Sequence, residues 1–434
     1  MSVGLQPDDP TNLIVSSPPP SVLPQELLDK IIDNLHHDFE SLKQCSLASS
    51  LLKLRSHKYL YSSIRISDMY RIQRLRGLVD ANSTLLENVR ELELADFWAW
   101  VAGDRHLPVI LRMATSLRSL SILNARCSWW SIHRDTRDAL IQVFRSPSLA
   151  TLCIDTIYSF PIPIFSLDIN VTHLTLKEIT VDAFTFPSAT LADYSRMNVH
   201  TLEIFSTIWS LVQAVIDLPN SFITRIHRLI IHNATSLAHD RIMTTARNSL
   251  ESILIYDLET ISLENWVPYD FTLLPKLKHI ELYLALRFGE PSDFKLRATT
   301  ALARIVDFST MNPTAARIES LSICFICRSE LYFILQWRTF MDNLAAISQW
   351  EELDRILDAA RGSVSSSPKH IISLDLQLIR LDNQRYLYVP SDDFLWRQSV
   401  DQMKTFWRDK VHDIMPLASH RGLLVTGDIV YTDI

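Results

Sequence analysis

Aliphatic residues return along most of this chain in the form L-x-x-L-x-L. The motif reads VRELEL (89–94), LRSLSI (117–122), LATLCI (149–154), VTHLTL (171–176) and VHTLEI (199–204). It continues as IHRLII (226–231), LESILI (250–255), LKHIEL (277–282), IESLSI (318–323) and IISLDL (371–376). The residues just before the central anchors are Glu91, Ser119, Thr151, His173, Thr201, Arg228, Ser252, His279, Ser320 and Ser373, with no aliphatic among them. Apolar and polar positions that alternate in this way describe a strand with one buried and one wet face. The central anchors from Leu92 to Ile280 fall 22 to 32 residues apart, so each unit is a strand plus a return segment. One unit cannot bury its anchors alone. Stacked neighbours can, and the expected architecture is an α/β solenoid with a parallel sheet.

After Ile280 the spacing widens, with insertions holding LYFILQWRTFMDNLAAI and SQWEELDRILDAARGSVSSSPKH; the serine-rich piece at 363–368 is a loop candidate. Trp396, Val400, Met403, Trp407, Val411 and Ile414 then recur at helical spacing, and GLLVTGDIVY reads as a strand. Together these cover the last repeat, as a solenoid requires. The front of the chain has a different pattern. Residues 1–21 are proline-rich and short of large apolar side chains, which predicts a disordered tail. LPQELLDKIIDNL (23–35) then places apolar residues at 23, 27, 28, 31, 32 and 35, an amphipathic helix with Pro24 suited to its first turn. FESLKQCSLASSLLKLRSHKYLYSSIRI continues the helical pattern. So small a helical unit cannot bury every apolar side chain it carries. The expected divisions are a tail (1–21), a helical module (22–66), a repeat region (67–390) and a capping segment (391–434).

Residues 22–66 resemble an F-box. The likeness rests on Leu23-Pro24, Glu26, Leu27, Ile31, Leu35, Leu42, Cys45, Leu47, Ser49 and the closing YLYSSIRI. The resemblance implies a three-helix docking element for the Skp-type adaptor of a cullin-RING ubiquitin ligase. Carried over position by position, Leu23, Pro24, Leu27, Ile31, Leu35, Leu42 and Leu47 would contact the adaptor. Where the family usually has a basic residue and a tryptophan, this chain has Ser50 and Leu52. The repeat region resembles the divergent leucine-rich repeats that often follow an F-box. It departs from the regular form as well: the asparagine three residues after the third anchor is replaced by Ala125, Ile157, Ile179, Ala234 or Leu258.

Composition narrows the chemistry. The chain has 434 residues, 42 basic against 49 acidic, and no long basic run, so nucleic acid is not the expected partner. No apolar stretch is long enough for a membrane span and no secretory pattern opens the chain, which points to the cytosol or nucleus. Five scattered cysteines fit reduced thiols there. Only seven glycines are present, and GLLVTGDI around Gly422 and Gly427 lacks the lysine of a phosphate loop. No cofactor, metal site or enzyme motif is expected. Cys324 and Cys327 are a C-x-x-C within a repeat strand, where residues three apart point to opposite faces. His36-His37-Asp38 reads as a solvated turn.

One row stands out on the wet face. The residue after the third anchor is Phe205, His232, Tyr256 and Tyr283 in four successive repeats. At about 4.8 Å per strand these would line roughly 15 Å of surface able to hold a protein substrate, unless an inserted segment or the C-terminal helix packs on them. Trp98, Trp100, Trp129 and Trp130 either frame a pocket at the rim or close the core between repeats. The resemblance thus implies a substrate receptor of a ubiquitin ligase; the alternative is a repeat scaffold that binds partners without a ligase.

Overall fold

The computed structural model describes residues 23–166, 169–181, 197–205, 209–216, 221–232, 237–257, 274–287, 299, 302–303, 306, 319–329, 332–361, 371–380, 392–420, 424–426 and 429–433. The expected tail at 1–21, the serine-rich loop at 363–368, and the positions of Ala234, Leu258, Gly422 and Gly427 lie outside the described residues. The chain divides into two compact units, Met1–Ser63 and Ile64–Ile434. The first contains helices α1 (Gln25–Asn34), α2 (Phe39–Ala48) and α3 (Ser50–Leu60). Both α1 and α2 pack on α3. No helix among the described residues is long and apolar enough to cross a membrane.

The second unit is α/β and is built on one large parallel sheet. Its strands are β1 (Ser63–Ile66), β2 (Glu91–Leu94), β3 (Ser119–Ile122), β4 (Cys127–Ser128), β5 (Thr151–Asp155), β6 (Ile157–Tyr158), β7 (His173–Lys177) and β8 (Thr201–Phe205). They continue with β9 (Arg228–His232), β10 (Ser252–Asp257), β11 (His279–Arg287), β12 (Ser320–Ser329), β13 (Ile371–Arg380), β14 (Leu424–Thr426) and β15 (Ile429–Asp433). The sheet order is β1-β2-β3-β5-β7-β8-β9-β10-β11-β12-β13-β14, with β15 also beside β13, while β4 and β6 form a separate two-stranded ladder. Strand order therefore follows chain order, as stacked repeats demand.

The anchors are the core. In the eight repeats from Val89 to Leu282 all three anchors are buried, none more than 8% exposed. At about 1.5 to 3 kcal/mol for each buried aliphatic side chain, these rows are the main stabilising term. The register matches the motif alignment for eight steps, from Glu91↔Ser119 to His279↔Ser320. It then slips: β13 pairs Ser322 with Ser373 and Ile323 with Leu374, two residues from the alignment expected from the motif. A slip of two keeps the apolar face inward, so the period-2 pattern of β13 fits either register.

Two features depart from the sequence expectation. YLYSSIRI does not close the helical module as a whole, because Ser63–Ile66 is a strand whose Ile66 carbonyl accepts from Ala95 N at 2.8 Å. The capping strand is split in two, β14 beside Ile371–Ser373 and β15 beside Leu376–Arg380. The capping helix Asp392–Ile414 buries Met403, Trp407 and Val411, and Trp407 Nε1 donates to the Leu374 carbonyl at 2.8 Å. The insertions after Ile280 supply helices Tyr332–Ala345 and Gln349–Arg361.

Each early strand ends in a left-handed turn. Asp96, Asn124, Thr156 and Glu178, each two residues past a third anchor, have φ of 46°, 50°, 58° and 49°. The next residue is Phe97, Ala125, Ile157 or Ile179, all completely buried. The bend turns backbone N–H groups toward the following repeat: Ala125 N reaches the Asp155 carbonyl at 3.1 Å and Thr156 N the Lys177 carbonyl at 2.8 Å. Backbone bonds thus satisfy the polar groups that the turn exposes. Left-handed geometry costs a non-glycine residue about 1 to 2 kcal/mol, least for Asn and Asp. Exposed Arg126, at φ 39°, has the same constraint. Arg126→Gly should therefore stabilise the unit by about 1 kcal/mol, whereas Ala125→Asp, which buries an unpaired charge, should cost about 3 to 5 kcal/mol. Thermal unfolding of the two variants checks both signs.

Candidate functional site

In the helical unit the apolar residues on and flanking α1 part to two sides. Ile32 is fully buried and Leu28 and Leu35 are partly buried, while Leu23, Leu27 and Ile31 remain 52, 49 and 48% exposed. Pro24 is exposed at the helix start, where its carbonyl accepts from Leu27 N at 3.0 Å. Leu47 on α2 is 82% exposed, and Leu42 on the same helix is completely buried. Leu42 therefore offers no surface to a partner: its side chain belongs to the interior. Motif matching named it with the docking residues because spacing alone does not say which way a helix is turned. Phe39, Leu51 and Leu54 are exposed large apolar side chains that motif matching passed over, Leu54 at 80%. Leu52 is partly buried.

Helices α1 and α3 are tied by polar contacts as well. Arg55 donates to both carboxylate oxygens of Asp33 at 2.6 Å, and Tyr59 Oη donates to the same group at 2.8 Å. Gln25 Nε2 reaches the Leu51 carbonyl at 3.1 Å. Asp38, expected in a solvated turn, is also the N-cap of α2, accepting from Ser41 N at 3.1 Å.

On the sheet the aromatic row is assembled as its positions predict. Phe205 pairs with His232, His232 with Tyr256, and Tyr256 with Tyr283 across β8 to β11. The rings stack face to face, with centroids 3.8, 4.5 and 4.5 Å apart and planes 4°, 9° and 30° from parallel. Aromatic pairs by themselves favour offset or edge-on contact. Here the strand spacing imposes the stack, so a partner meets ring edges and hydroxyls rather than ring faces. All four side chains are partly buried. Lys177 Nζ lies 5.7 Å from the Phe205 centroid and pairs with Asp155 at 3.3 Å, which places a cation at one end of the row. Beyond Tyr283 the row continues through buried Cys324 to Asp375.

Beside the stack, two residues before Phe205 on the same face of β8, is a carboxylate that the sequence reading did not single out. Glu203 accepts from His232 Nε2 at 2.7 Å, from Thr175 Oγ1 at 2.8 Å and from His173 Nε2 at 3.4 Å. Bonds from His173 and His232, and then Thr175, hold its carboxyl well below the usual carboxylate range. Register would have revealed it: Thr175 is directly opposite Glu203, and His232 pairs with the residue two further on. Burial pushes the Tyr256 hydroxyl up and the Tyr283 hydroxyl up to about 12, so both remain hydrogen-bond donors at neutral pH. Burial also pushes the Cys153 thiol up to about 12, which favours the thiol over the thiolate.

No protein-family model and no curated protein matches this chain.

The tryptophan pairs divide. Trp100 and Trp129 are buried, the first donating Nε1–H to the Ala95 carbonyl at 3.0 Å and the second edge-on to Phe160 at 5.3 Å. Trp98 and Trp130 are about half exposed, with the Arg137 guanidinium 4.9 Å over Trp130. One of each pair closes the core and the other stays at the surface. Cys324 and Cys327 both lie in the unbroken strand β12, and among the described residues no group of three or more His, Cys, Asp or Glu is set to hold a metal ion.

The Asp33 contacts give the helical unit a signature in pH. Bonds from Arg55, and then Tyr59, hold the Asp33 carboxyl at about 2, against 3.8 unperturbed. A depressed carboxyl contributes stability above its unfolded pKa and loses it as pH falls toward the folded value. Asp33→Asn should therefore lower the urea midpoint of the intact chain at pH 6, with the gap to the parent closing between about pH 4 and pH 2. A gap that does not change across that range would contradict the assignment.

Proposed function

We propose that this chain is the substrate-recognition subunit of a Skp-adaptor, cullin-RING ubiquitin ligase, acting in the cytosol or nucleus. The helical unit is its F-box, and the second unit is an irregular leucine-rich-repeat solenoid whose polar sheet face holds a protein substrate. The observation that carries the reading is the stripe of Leu23, just before α1, and Leu27 and Ile31 on it, spaced by four and left about half exposed. A helix in a self-sufficient bundle turns such a stripe inward. Each of these side chains gains about 1 kcal/mol when a partner covers the rest of it, and Leu47 and Leu54 add more. The stacked row Phe205, His232, Tyr256 and Tyr283 supports the substrate role, since rigid aromatic side chains give contact area at small entropic cost. The chain does no chemistry under this reading; it brings the substrate near a charged conjugating enzyme.

Leu52, partly buried where the F-box family has a tryptophan anchor, favours a second reading, a repeat scaffold without a ligase. Direct binding to purified Skp-type adaptor separates the two. The full chain should bind, and Leu27→Glu and Ile31→Glu should each weaken binding by about 100-fold while leaving the fold intact, because neither position is buried. Failure of the parent to bind, or full binding by both variants, would leave the scaffold. Tyr256→Ala with Tyr283→Ala should reduce substrate ubiquitination at least tenfold without altering adaptor affinity. Unchanged ubiquitination would remove the row from substrate recognition.

A further inference from the structure

We infer that His200 and His227 form a two-histidine binding site for a divalent transition-metal ion of the zinc, copper or nickel class. His200 immediately precedes β8 and His227 immediately precedes β9. Thr201 pairs with Arg228, so the two histidines occupy the same position on adjacent rungs, and His227 N donates to the His200 carbonyl at 2.9 Å. Their side chains are exposed, with Nδ1 of one 3.3 Å from Nδ1 of the other. The rings are 5.1 Å apart between centroids and 33° from parallel, so the nitrogens rather than the ring faces meet.

That separation is what a metal ion requires. Two metal–nitrogen bonds of about 2.0 to 2.1 Å opened by a tetrahedral angle put the nitrogens roughly 3.3 to 3.4 Å apart. Neutral imidazoles at this distance share one proton between two lone pairs; a metal ion takes the proton's place and uses both pairs. Little reorganisation is needed, because the preceding residues Val199 and Ile226 are buried anchors that fix both backbones. Ligand softness selects the ion: imidazole suits zinc, copper and nickel, whereas calcium and magnesium want oxygen.

The surroundings are compatible with a cation. Glu251 follows on the next rung, its N–H donating to the His227 carbonyl at 2.8 Å and its carboxylate 3.8 Å from Lys278 Nζ. With no third His, Cys, Asp or Glu in place among the described residues, water completes the coordination. The site is therefore open, and it adds a second side-chain link between two repeats already joined by the Glu203–His232 bond and the Phe205–His232 stack at the other end of the strands. The aromatic row lies at the opposite end of the same strands, on Phe205 and His232, so this site is separate from the proposed substrate surface.

Isothermal titration of the full chain with zinc chloride, repeated on His200→Ala and His227→Ala, tests the inference. Either substitution should remove one bound equivalent of zinc relative to the parent. Both variants should keep the parent's circular dichroism and metal-free unfolding temperature, since the replaced side chains are exposed. Zinc should also raise the unfolding temperature of the parent more than that of either variant. Equal stoichiometry and affinity in parent and variants would overturn the inference, as would the absence of saturable binding by the parent.

Discussion

The whole second unit depends on the inability of one repeat to bury its own three anchors. Val89, Leu92 and Leu94 are buried only with neighbouring rungs beside them, Leu117, Leu120 and Ile122 on one side and the β1 strand with Ile66 on the other, and later anchors are likewise buried between rungs. Parallel pairing in register is the arrangement that brings such rows into contact and at the same time satisfies the strand backbones. Once adopted, it sets a rung spacing of about 4.8 Å for every side chain on the polar face as well. The aromatic stack, the Glu203 bonds to neighbouring strands and the apposed histidines all derive from that spacing.

Much of this was legible because it follows from periodicity. Alternating anchors identify strands and their inward face, and equal motif positions become partners on adjacent strands, which is why Phe205, His232, Tyr256 and Tyr283 fall in one row. Periodicity is blind to shifts of two, and β13 shows it: Ile371, Ile372, Leu374, Leu376 and Leu378 offer more aliphatic positions than one motif uses. It is equally blind to helix rotation, so Leu42 and Leu47 looked alike although one is buried and the other exposed. Ser63–Ile66 carries too little pattern to be seen as a strand within a helical resemblance. The left-handed turns were hidden because only Asp96 and Asn124 belong to residue types that signal such geometry, whereas Thr156 and Glu178 do not.

The two units treat polar groups differently. In the helical unit Asp33, Arg55 and Tyr59 join α1 to α3 through a forked ion pair, which holds the helices in one orientation while so many leucines remain outside. On the sheet, Glu203 gathers donors from β7 and β9 on either side of it, and Arg228 reaches past β10 to Glu281 at 3.3 Å. Such bonds lie across the strands. They add specificity of register that apolar anchors, alike from rung to rung, do not provide.

The ring stack also has a mechanical meaning. Four planar groups held 3.8 to 4.5 Å apart on β8 to β11 leave almost no room for compression on that face. Bending the sheet toward the rings drives them into van der Waals repulsion, and bending it away separates surfaces already in contact. The strands bearing the row thus resist flexing in either direction more than the rungs before them, where Asp155 and Lys177 take the same position with an ion pair that can lengthen freely. The sheet is unevenly elastic, its aromatic span being stiffer than the rungs that precede it.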